Sequence, residues 1–381
     1  MLTRTGPRWV QSADALAAVV RALDGVPEVA VDTEGDSLHH YPARLSLVQL
    51  AGADGDTWLV DPLAVEDLRP LGRVFGDPRT TTLFHAGDND LVDLKRRHGL
   101  AFARVFDTSV AARFLGAPAL GLDVLLTTYL GIDLPPSRQK DDWSERPLSE
   151  AQLRYAAADV EYLQPLKARL EEELTRVGRL AWVEEECAAL AAQPVAERVT
   201  DPAAYAGLKG ARDLSARGRA ILRELYELRE TLARRLARPP FKVLNDDVLV
   251  RLAVAVPPDR EHLAAITGMT PRVIARWGDD VLAAIARGLA LPESDLPVLE
   301  RRPRPNVPAA VRRRIERLRT WRTEATPRFG LEPGVLLPNR LIGTVADAAP
   351  GDLEALARVE GFRRWRVEAF GSEVLAALAR T

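Results

Sequence analysis

The chain has 381 residues, of which 47% are hydrophobic and 28% charged, a composition typical of a globular protein with two or three domains. No apolar run approaches 18 residues, and the N-terminus lacks the apolar core and cleavage site of a signal peptide, so we expect no membrane span and no export. Cys187 is the only cysteine, which excludes an intrachain disulfide and a cysteine-based zinc site and favours a reducing cytoplasm.

Charge is distributed unevenly along the chain. Residues 1–200 hold 21 Lys and Arg against 31 Asp and Glu, residues 201–381 hold 31 against 23, and the net charge is −2. An acidic half followed by a basic half suggests metal-binding carboxylates joined to a module that binds a polyanion. Two solvated surfaces of opposite sign explain the same asymmetry equally well.

The first 135 residues alternate between strand and helix patterns. Short runs rich in β-formers predict strands at residues 29–35, 44–51, 57–62 and 80–87. Helical periodicity predicts helices at residues 14–22, 64–75, 89–98, 107–115 and 120–130. Strands and helices mixed in this order favour an α/β layer fold.

Residues 148–193 are predicted to form long helices. Ser149, followed three residues later by Gln152, predicts a capping box at the start of a helix that carries Tyr155 and Asp159. A carboxylate among alanine and tyrosine side chains is costly to desolvate unless a positive charge meets it. Asp159 therefore needs a partner.

The helical part of the chain contains an internal repeat with an offset of 93 residues. "LRELYELR" from residue 222 aligns with "IERLRTWR" from residue 315, and Gly268 aligns with Gly361, whereas the blocks between them match only after a shift of one residue. Such a period is too long for a solenoid and fits two copies of one small helical domain. The predicted organisation is a first domain at residues 1–195, a linker at 196–212, a helical domain at 213–291, a linker at 292–308 and a second helical domain at 309–381.

Two carboxylates stand at alternate positions of the first predicted strand. Asp32 and Glu34 therefore point to one face, while Val29, Val31 and Thr33 point to the other. Neighbouring carboxylates on a buried strand repel each other unless a cation lies between them, and such hard oxygen ligands suit Mg²⁺ or Mn²⁺. A strand end with solvated charges is the plainer interpretation of this motif alone.

A second acidic cluster, "FHAGDNDLVDL", lies where a strand turns into a helix. Asp88 is predicted to cap the helix, Asp93 to face solvent and Asp90 to turn inward, although position alone gives Asp90 only a slight preference. Tyr155 and Asp159, four residues apart, share one helix face. Four carboxylates and a phenol from three separated segments are typical of a two-metal site, in which cations about 3.5–4 Å apart clamp the attacking and leaving oxygens of a phosphodiester.

Four motifs stand in order along residues 30–163: "VDTEGDSLHHYPARLSLVQL", "FHAGDNDL", "FDTSVAARFLG" and "YAAADVEYL". Together they resemble the DEDD superfamily of 3′–5′ exonucleases and, within it, the bacterial ribonuclease D family. The tyrosine four residues before the last aspartate resembles the DEDDy subgroup. The repeated helical unit is similar to the HRDC domain of ribonuclease D and of RecQ helicases.

The resemblance implies an α/β ribonuclease H-like exonuclease domain, with a mixed sheet flanked by helices, followed by two all-α HRDC-like domains. It also implies two divalent cations, Mg²⁺ or Mn²⁺, as cofactors. The implied metal ligands, which together with Tyr155 form the implied catalytic set, are Asp32, Glu34, Asp90 and Asp159.

Individual roles follow from the same resemblance. Asp32 would bridge both cations, with Glu34 and Asp159 completing the ligands of the cation on the side of the nucleophile. Asp90 would help to hold the cation of the leaving group, partly through water. The family pattern, His-Ala-Gly followed by two variable residues and then Asp, selects Asp90 over Asp88. Tyr155 would orient the attacking water, since a side chain with a pKa near 10 is a poor base at neutral pH.

Five further residues are expected near the substrate. The segment "QKDDWSERPLSE" resembles the family segment that precedes the last motif. Lys140 and Arg146 would contact phosphates, and Trp143 would stack on a base or, as the favoured alternative, pack in the core. Gln49 and His85 lie in the same region by sequence, and structural and substrate-contacting roles are equally open for both.

Other charged and aromatic residues receive plainer predictions. Asp107 is expected to cap the next helix, and Asp36 to be a bystander charge. The helical repeats gather basic residues without a convergent acidic set, so they fit nucleic-acid-binding modules better than catalysts. Their first basic run could follow a phosphate backbone, with a solvated face as the favoured alternative. The basic runs are Arg312, Arg313, Arg314, Arg317 and Arg319, then Arg363, Arg364 and Arg366. The aromatic residues expected mostly in the core are Trp277, Trp321, Trp365 and Phe370.

The resemblance therefore implies a metal-dependent 3′–5′ exoribonuclease that releases nucleoside 5′-monophosphates during 3′ processing of tRNA and other stable RNA. The expected partners are single-stranded RNA 3′ ends, including tRNA precursors, and the expected state is a cytoplasmic monomer. A 3′–5′ DNA exonuclease is an alternative, because recognition of the 2′-hydroxyl depends on pocket geometry. A non-catalytic nucleic-acid-binding scaffold is another, and the complete set of carboxylates and tyrosine argues against it.

Overall fold

A six-stranded mixed sheet forms the centre of the first domain. The computed structural model describes residues 6–195, 201–298 and 307–379. The strands are β1 Arg8–Val10, β2 Glu28–Gly35, β3 Leu45–Gly52, β4 Thr57–Val60, β5 Thr81–Phe84 and β6 Val105–Asp107. Their order is β1-β4-β3-β2-β5-β6, with β1 parallel to β4, β3 antiparallel to β4, and β5 parallel to β2 and β6. β2 thus lies inside the sheet.

Helices accompany this sheet and complete the predicted α/β fold. They are α1 Ala13–Ala22, α2 Gly72–Phe75, α3 Asp88–His98, α4 Thr108–Phe114, α5 Leu122–Leu130, α6 Glu150–Glu161, α7 Leu163–Arg176 and α8 Leu180–Ala192. α6 packs on β3 and β4. Its first turn has the predicted capping box, in which the Ser149 hydroxyl accepts from the Gln152 N–H and the Gln152 side chain accepts from the Ser149 N–H. The predicted fold class is confirmed.

Two strands and one helix differ from the sequence prediction. β1 and β6 have three residues each, too few for an alternating pattern to stand out, and no strand is predicted there. Residues 64–75 are predicted as one helix, but only a 3₁₀ turn at Arg69–Leu71 and the short α2 are helical. Pro70 can occupy only the first turn of a helix, and Gly72 disfavours a helix interior, so this prediction is wrong.

Two copies of a five-helix unit follow. The first copy contains α9 Ala216–Leu236, α10 Pro240–Val243, α11 Asp246–Ala255, α12 Arg260–Ala264 and α13 Pro271–Ala290. The second contains α14 Ala309–Phe329, α15 Pro333–Leu336, α16 Asn339–Ala348, α17 Leu353–Ala357 and α18 Arg364–Ala379. Every helix of the second copy begins 93 residues after its counterpart, so the expected shift of register between the blocks is wrong. None of the described helices is long and apolar enough to traverse a bilayer.

The described chain forms two compact units that cut across the predicted domain limits. One unit holds the described parts of residues 1–34, 45–196 and 305–381, and the other those of 35–44 and 197–304. The second helical copy therefore shares a unit with most of the first domain. The predicted linkers lie partly outside the described residues, at 196–200 and 299–306.

Within the first unit, α8 binds the second helical copy through Glu186. Its carboxylate accepts hydrogen bonds from Nε1 of Trp365 and from the guanidinium of Arg366, and it lies 3.4 Å from Nε of Arg363. Trp182 stacks on Trp365 with ring centroids 4.6 Å apart. Acidic residues of the first domain thus meet basic residues of the second copy directly.

Several arginines of the predicted basic runs have structural partners. The guanidinium of Arg314 donates to the carbonyl of Ala346, and that of Arg317 to the carbonyl of Leu378. Arg366 is buried, so it does not offer its charge to a ligand at the surface. These three arginines thus have structural contacts, and RNA contact by the first basic run stays a prediction. The four aromatic residues predicted in the core are buried, as expected: Trp277, Trp321, Trp365 and Phe370.

Candidate active site

Three carboxylates from two elements meet beside β2. Asp32 and Glu34 extend from β2, and Asp159 extends from α6. Each offers one carboxylate oxygen such that the three oxygens lie within 4.8 Å of one another, and all three side chains are partly buried. Oxygen ligands at this spacing are suited to a hard divalent cation.

The local sequence explains why these side chains converge. Val29 and Val31 are fully buried on one face of β2, so Asp32 and Glu34 point to the other face, as the alternation predicts. On α6, the small side chain of Ala156 is fully buried, which allows the helix to lie close to β3 and β4. Asp159 is thereby brought to the carboxylates of the neighbouring strand.

Mutual repulsion and burial disfavour the charged form of this cluster. Burial, followed by the charges of Asp159 and Asp90, raises the pKa of Glu34 to about 8. Burial also raises the pKa of Asp159 to about 7, although a hydrogen bond from Tyr155 favours the charged form and lowers the pKa. The pKa of Asp32 is well above its usual value because of burial and three neighbouring carboxylates. A cation among these groups would favour their charged forms and so offset the shifts.

Asp90 lies in the first turn of α3, close to the cluster but outside the group of three. Its carboxylate accepts a hydrogen bond from the hydroxyl of Thr33, the β2 residue between the two catalytic candidates. Burial raises the pKa of Asp90 to about 6, and the charge of Asp90 in turn raises the pKa of Asp32. This position is consistent with a fourth ligand.

The loop before α3 is held by Asp107 rather than by Asp88. α3 begins at Asp88 with Gly87 as its N-cap and without a side-chain cap, so the prediction that Asp88 caps the helix is wrong. The Asp107 carboxylate accepts from the N–H groups of Ala86 and Gly87, at 3.1 and 2.8 Å. It also caps α4 by accepting from Ser109, which confirms the predicted cap. A Cβ at Gly87 would lie 2.5 Å from Phe84, which explains the glycine.

Tyr155 is buried and donates a hydrogen bond to Asp159. Burial, then the charges of Asp159, Glu34 and Asp32, raise the pKa of this phenol above its usual value. The phenol therefore stays protonated at neutral pH, where it can donate but cannot act as a base. This agrees with the positioning role that the resemblance implies.

Gln49 lies on β3 and is fully buried. Its Nε2 atom is 3.5 Å from Oδ2 of Asp32, and among the described residues its Oε1 atom has no hydrogen-bond partner. A buried side chain that faces Asp32 can hold this carboxylate. This arrangement favours the structural alternative for Gln49 over a substrate contact.

Trp143 and Arg146 make structural contacts in this conformation, which agrees with the favoured alternative for Trp143, whereas the phosphate contact expected of Arg146 stays a prediction. Trp143 is fully buried, with its ring centroid 6.0 Å from that of Tyr155, so it offers no face to a base. The Arg146 guanidinium binds both oxygens of Asp61, at 2.8 and 2.7 Å. It also donates to the carbonyls of Trp143 and Ser46, each at 2.7 Å. Arg146 thus fixes the segment that packs Trp143 against Tyr155.

The remaining two candidates differ in exposure. His85 is partly buried, with Nδ1 2.9 Å from the hydroxyl of Thr108, and burial lowers its pKa so that it is neutral at pH 7. Lys140 is exposed, which is compatible with the expected phosphate contact. Both assignments stay predictions.

Sequence reasoning missed the structural role of two aspartates. Asp36 is fully buried, and its carboxylate accepts from the N–H and Nε of Arg44 at 2.6 and 3.1 Å, so the prediction of a bystander charge is wrong. Asp61 directly follows β4 and binds Arg146 across 85 residues of sequence. A polar residue that directly follows the buried strand "TWLV" was the one available indication for Asp61.

Family comparisons match three parts of the chain. Residues 7–175 match the 3′-5′ exonuclease family, and residues 218–285 and 311–378 each match the HRDC domain. The site described above lies within the exonuclease match, and the two copies of the helical unit correspond to the two HRDC matches.

Individual relatives cover nearly the whole chain. Ribonuclease D of Pseudomonas paraeruginosa is 34% identical over 377 residues, which cover 97% of each chain. The crystal structure of Escherichia coli RNase D superposes with a TM-score of 0.71 at 27% identity and covers 98% of this chain and 99% of that one. A crystal structure of a protein from Bifidobacterium adolescentis, with a TM-score of 0.81 at 22% identity over 99% and 98% of the two chains, shares the fold. This chain belongs to the ribonuclease D family, with a 3′–5′ exonuclease domain followed by two HRDC domains.

Proposed function

We propose that this chain, a 3′–5′ exoribonuclease by family, uses divalent cations held by its carboxylates to release nucleoside 5′-monophosphates from RNA 3′ ends. The convergence of Asp32, Glu34 and Asp159 within 4.8 Å carries the proposal. The Escherichia coli relative is described as an exoribonuclease involved in structured RNA processing. By analogy, we assign this enzyme to the 3′ processing of tRNA precursors and other stable RNA.

The residues present fit a site for Mg²⁺ or Mn²⁺. The donors are carboxylate oxygens, which these hard cations prefer. Burial raises their pKa values, and the charges of neighbouring carboxylates add to the shift for Asp32 and Glu34. We assign these four carboxylates as the residues that would hold two cations: Glu34 and Asp159 would serve the nucleophile side, Asp90 the side of the leaving group, and Asp32 both. When bound, two such cations polarise the phosphodiester and stabilise the attacking and leaving oxygens.

The protein side chains orient these groups. Tyr155 keeps its proton and holds Asp159, so its hydroxyl can also position the attacking water beside Glu34. Thr33 donates to Asp90, and Gln49 faces Asp32, which limits the orientations of both carboxylates. The chain thus supplies a preorganised set of oxygens and donors rather than a strong base.

A degradation time course tests this proposal directly. Single-stranded RNA labelled at the 5′ end is incubated with the enzyme and either Mg²⁺, Mn²⁺ or a chelator. A second RNA, blocked at its 3′ end, is incubated with the enzyme and the metal ions. We expect a ladder that shortens from the 3′ end and is absent with the chelator, with the block and with Asp32→Asn. Glu66→Gln, which removes an exposed carboxylate of the same domain, is the matched control and should be fully active.

The other arms of the experiment separate the alternatives. Equal or faster shortening of a matched DNA strand would make the enzyme a DNA exonuclease. Retained RNA binding without cleavage under every metal condition would make it a non-catalytic scaffold and overturn the proposal.

A monomer that acts in the cytoplasm is part of the proposal. The single, buried Cys187 is compatible with a reducing compartment. Light scattering coupled to size exclusion should give a mass near the 41.8 kDa of one chain. A mass of twice this value would contradict the monomer, and a tRNA precursor with a 3′ extension that is left uncut would contradict the assigned substrate.

A further inference from the structure

An aromatic side chain stands exposed on the first HRDC domain. Phe241, in α10, is 49% exposed, although a phenylalanine of a small helical domain is ordinarily buried. Exposed cations surround it in sequence, with Arg235 in the last turn of α9, Arg238 just after it and Lys242 beside it. Within residues 201–298 no carboxylate lies at ion-pair distance from these three cations. An aromatic ring among unneutralised cations is the composition of a single-strand nucleic-acid contact.

The corner that carries these residues is rigid. After α9, the N–H of Arg238 donates to the carbonyl of Ala233 at 3.0 Å, which closes the turn. Pro239 and Pro240 follow, and the N–H of Lys242 donates to the carbonyl of Pro239 at 2.9 Å. Proline fixes its own φ, so the ring of Phe241 is presented from a backbone with little freedom to lose on binding.

The second copy of the domain shows that the fold does not require these residues. At the offset of 93, Phe241 corresponds to Gly334 and Lys242 to Val335. Gly334 and Val335 line a cavity of about 910 Å³ together with α4 and α8 of the exonuclease domain. The carbonyl of Val335 accepts from the guanidinium of Arg366 at 2.9 Å, in the same group of contacts that holds Glu186. The guanidinium of Arg179, in the exonuclease domain, donates to the carbonyl of Phe329 at this corner, so the second copy uses the corner to bind that domain.

The first copy lacks the residues that make this second type of contact. Trp365 and Arg366, the partners of Glu186, correspond to Arg272 and Val273 at the same offset. One duplicated corner has therefore diverged into an aromatic and basic surface in the first copy and a protein-binding surface in the second.

The helix that ends at this corner also holds chain from the exonuclease domain. The hydroxyl of Tyr41 donates to Glu230 on α9, and Arg234 lies over the Tyr41 ring at 5.6 Å from its centroid. Tyr41 belongs to residues 35–44, which continue directly from β2 and its catalytic carboxylates. The contacts of Tyr41 with α9 thus lie within one compact unit, together with the aromatic corner.

We propose that the corner formed by Arg235, Arg238, Phe241 and Lys242 binds single-stranded RNA of the substrate, with one base stacked on Phe241 and phosphates on the three cations. The inference rests on the proposed function and deepens it, because it divides the work between the two HRDC domains. The first HRDC domain contacts RNA through this corner, and the second buttresses the exonuclease domain.

Fluorescence anisotropy on the full chain tests this division. The probe is a labelled oligouridylate of about 20 nucleotides, longer than a typical single-strand site, with a chelator present to prevent cleavage. We expect Phe241→Ala to raise the Kd about fivefold or more and Phe241→Trp to retain binding. Lys242→Gln should lower the slope of log Kd against log salt by about 0.7. Leu289→Ala, which removes a 47% exposed side chain elsewhere on the domain, is the matched control.

Binding and degradation assays together distinguish failure of this inference from failure of the proposed function. A Kd of Phe241→Ala within twofold of the parent, with an unchanged melting temperature, would overturn the inference and leave the corner as a surface for a protein partner. If the parent chain degrades RNA in that case, the proposed function stands. If the parent binds RNA through Phe241 but never shortens it, the proposed function fails and the RNA contact stands.

Discussion

The Asp159 carboxyl illustrates how the surroundings of a single residue set its protonation and, through it, the stability of the protein. It lies against two other carboxylates and accepts one hydrogen bond, from Tyr155. Its pKa of about 7 and that of Glu34, about 8, are above the unfolded values, so both groups bind protons more tightly in the folded chain. Their contribution to stability is complete below about pH 4 and is lost as the pH rises through about 7 to 8.

Removing one charge should therefore stabilise the metal-free protein. We expect Asp159→Asn to raise the free energy of unfolding at pH 8 by at least about 1 kcal/mol, with a smaller gain at pH 5, and to abolish RNA degradation. Thermal unfolding in chelator at both pH values measures this effect. A loss of stability at pH 8 would show that the carboxylates do not repel one another.

Cation affinity should also depend on pH through these carboxylates, but it should increase with pH, whereas their contribution to stability decreases. Protons compete with Mn²⁺ for Glu34 and Asp159, so Mn²⁺ affinity should increase between pH 6 and pH 8, with release of protons on binding. Titration calorimetry in two buffers of different ionisation enthalpy measures both quantities. Affinity independent of pH over this range would place the cation away from these carboxylates.

Arg146 should act on catalysis only through Tyr155. We expect Arg146→Ala to destabilise the protein by about 3 kcal/mol, because it leaves the buried Asp61 without its partner, and to lower kcat more than it raises KM. Arg146→Lys, which keeps the charge but not the fork of donors, should recover part of the stability. Urea unfolding and steady-state kinetics test this together. A rise in KM with unchanged kcat would instead return Arg146 to the RNA-binding role first expected.

Among the elements, the end of α9 contains a conformation that its sequence does not favour. Ala237 has φ of 49° and lies in the left-handed region, whereas the equivalent position of the second copy is Gly330, with φ of 59°. A side chain with Cβ costs about 1 kcal/mol in this region. The same turn accepts both residues because its backbone hydrogen bonds determine the geometry.

We therefore expect Ala237→Gly to increase the free energy of unfolding by about 0.5–1 kcal/mol. Ala255→Gly, at an exposed helical position in α11, is the control and should decrease it by a similar amount. Chemical denaturation compares the two variants. Destabilisation by both would mean that the greater freedom of glycine in the unfolded chain dominates at position 237.

Elements with a strong periodic pattern are predictable from sequence, and their partners are less so. β2 and α6 have clear alternation and a capping box, so Asp32, Glu34, Tyr155 and Asp159 are found where expected. Trp143 was harder to place because a tryptophan beside basic residues suits both RNA and a core. Its burial depends on Arg146 reaching Asp61, a contact that no local pattern contains.

At the scale of the whole chain, the second HRDC domain and the exonuclease domain form one folded unit. Their buried apolar residues form a continuous cluster that includes Val183 and Cys187 of α8 together with Trp365 and Phe370 of α18. Charge asymmetry along the sequence is thus partly neutralised inside this unit, through Glu186 and its arginines. Sequence alone indicated the opposite charges but not which of the two similar copies would meet them.

Loss of the contact between Glu186 and Arg366 should destabilise the interface between the exonuclease domain and the second HRDC domain. We expect Arg366→Ala to lower the free energy of unfolding by about 3 kcal/mol, because Glu186 loses its buried partner, and to speed amide hydrogen exchange in both α8 and α18. Arg358→Ala, which removes an exposed ion pair with Glu354, is the control and should cost less than about 1 kcal/mol. Unchanged exchange in α8 would show that the two domains are energetically independent.

The contact between Glu186 and Arg366 joins residues 180 positions apart. During translation at about 5–20 residues per second, α8 leaves the ribosome on the order of 10–40 s before its partner has been synthesised. The nascent exonuclease domain therefore waits through that interval with Trp182 lacking the Trp365 ring that stacks on it. An enzyme that degrades RNA would thus reach its full stability only once the part of its own messenger that encodes the second HRDC domain has been read.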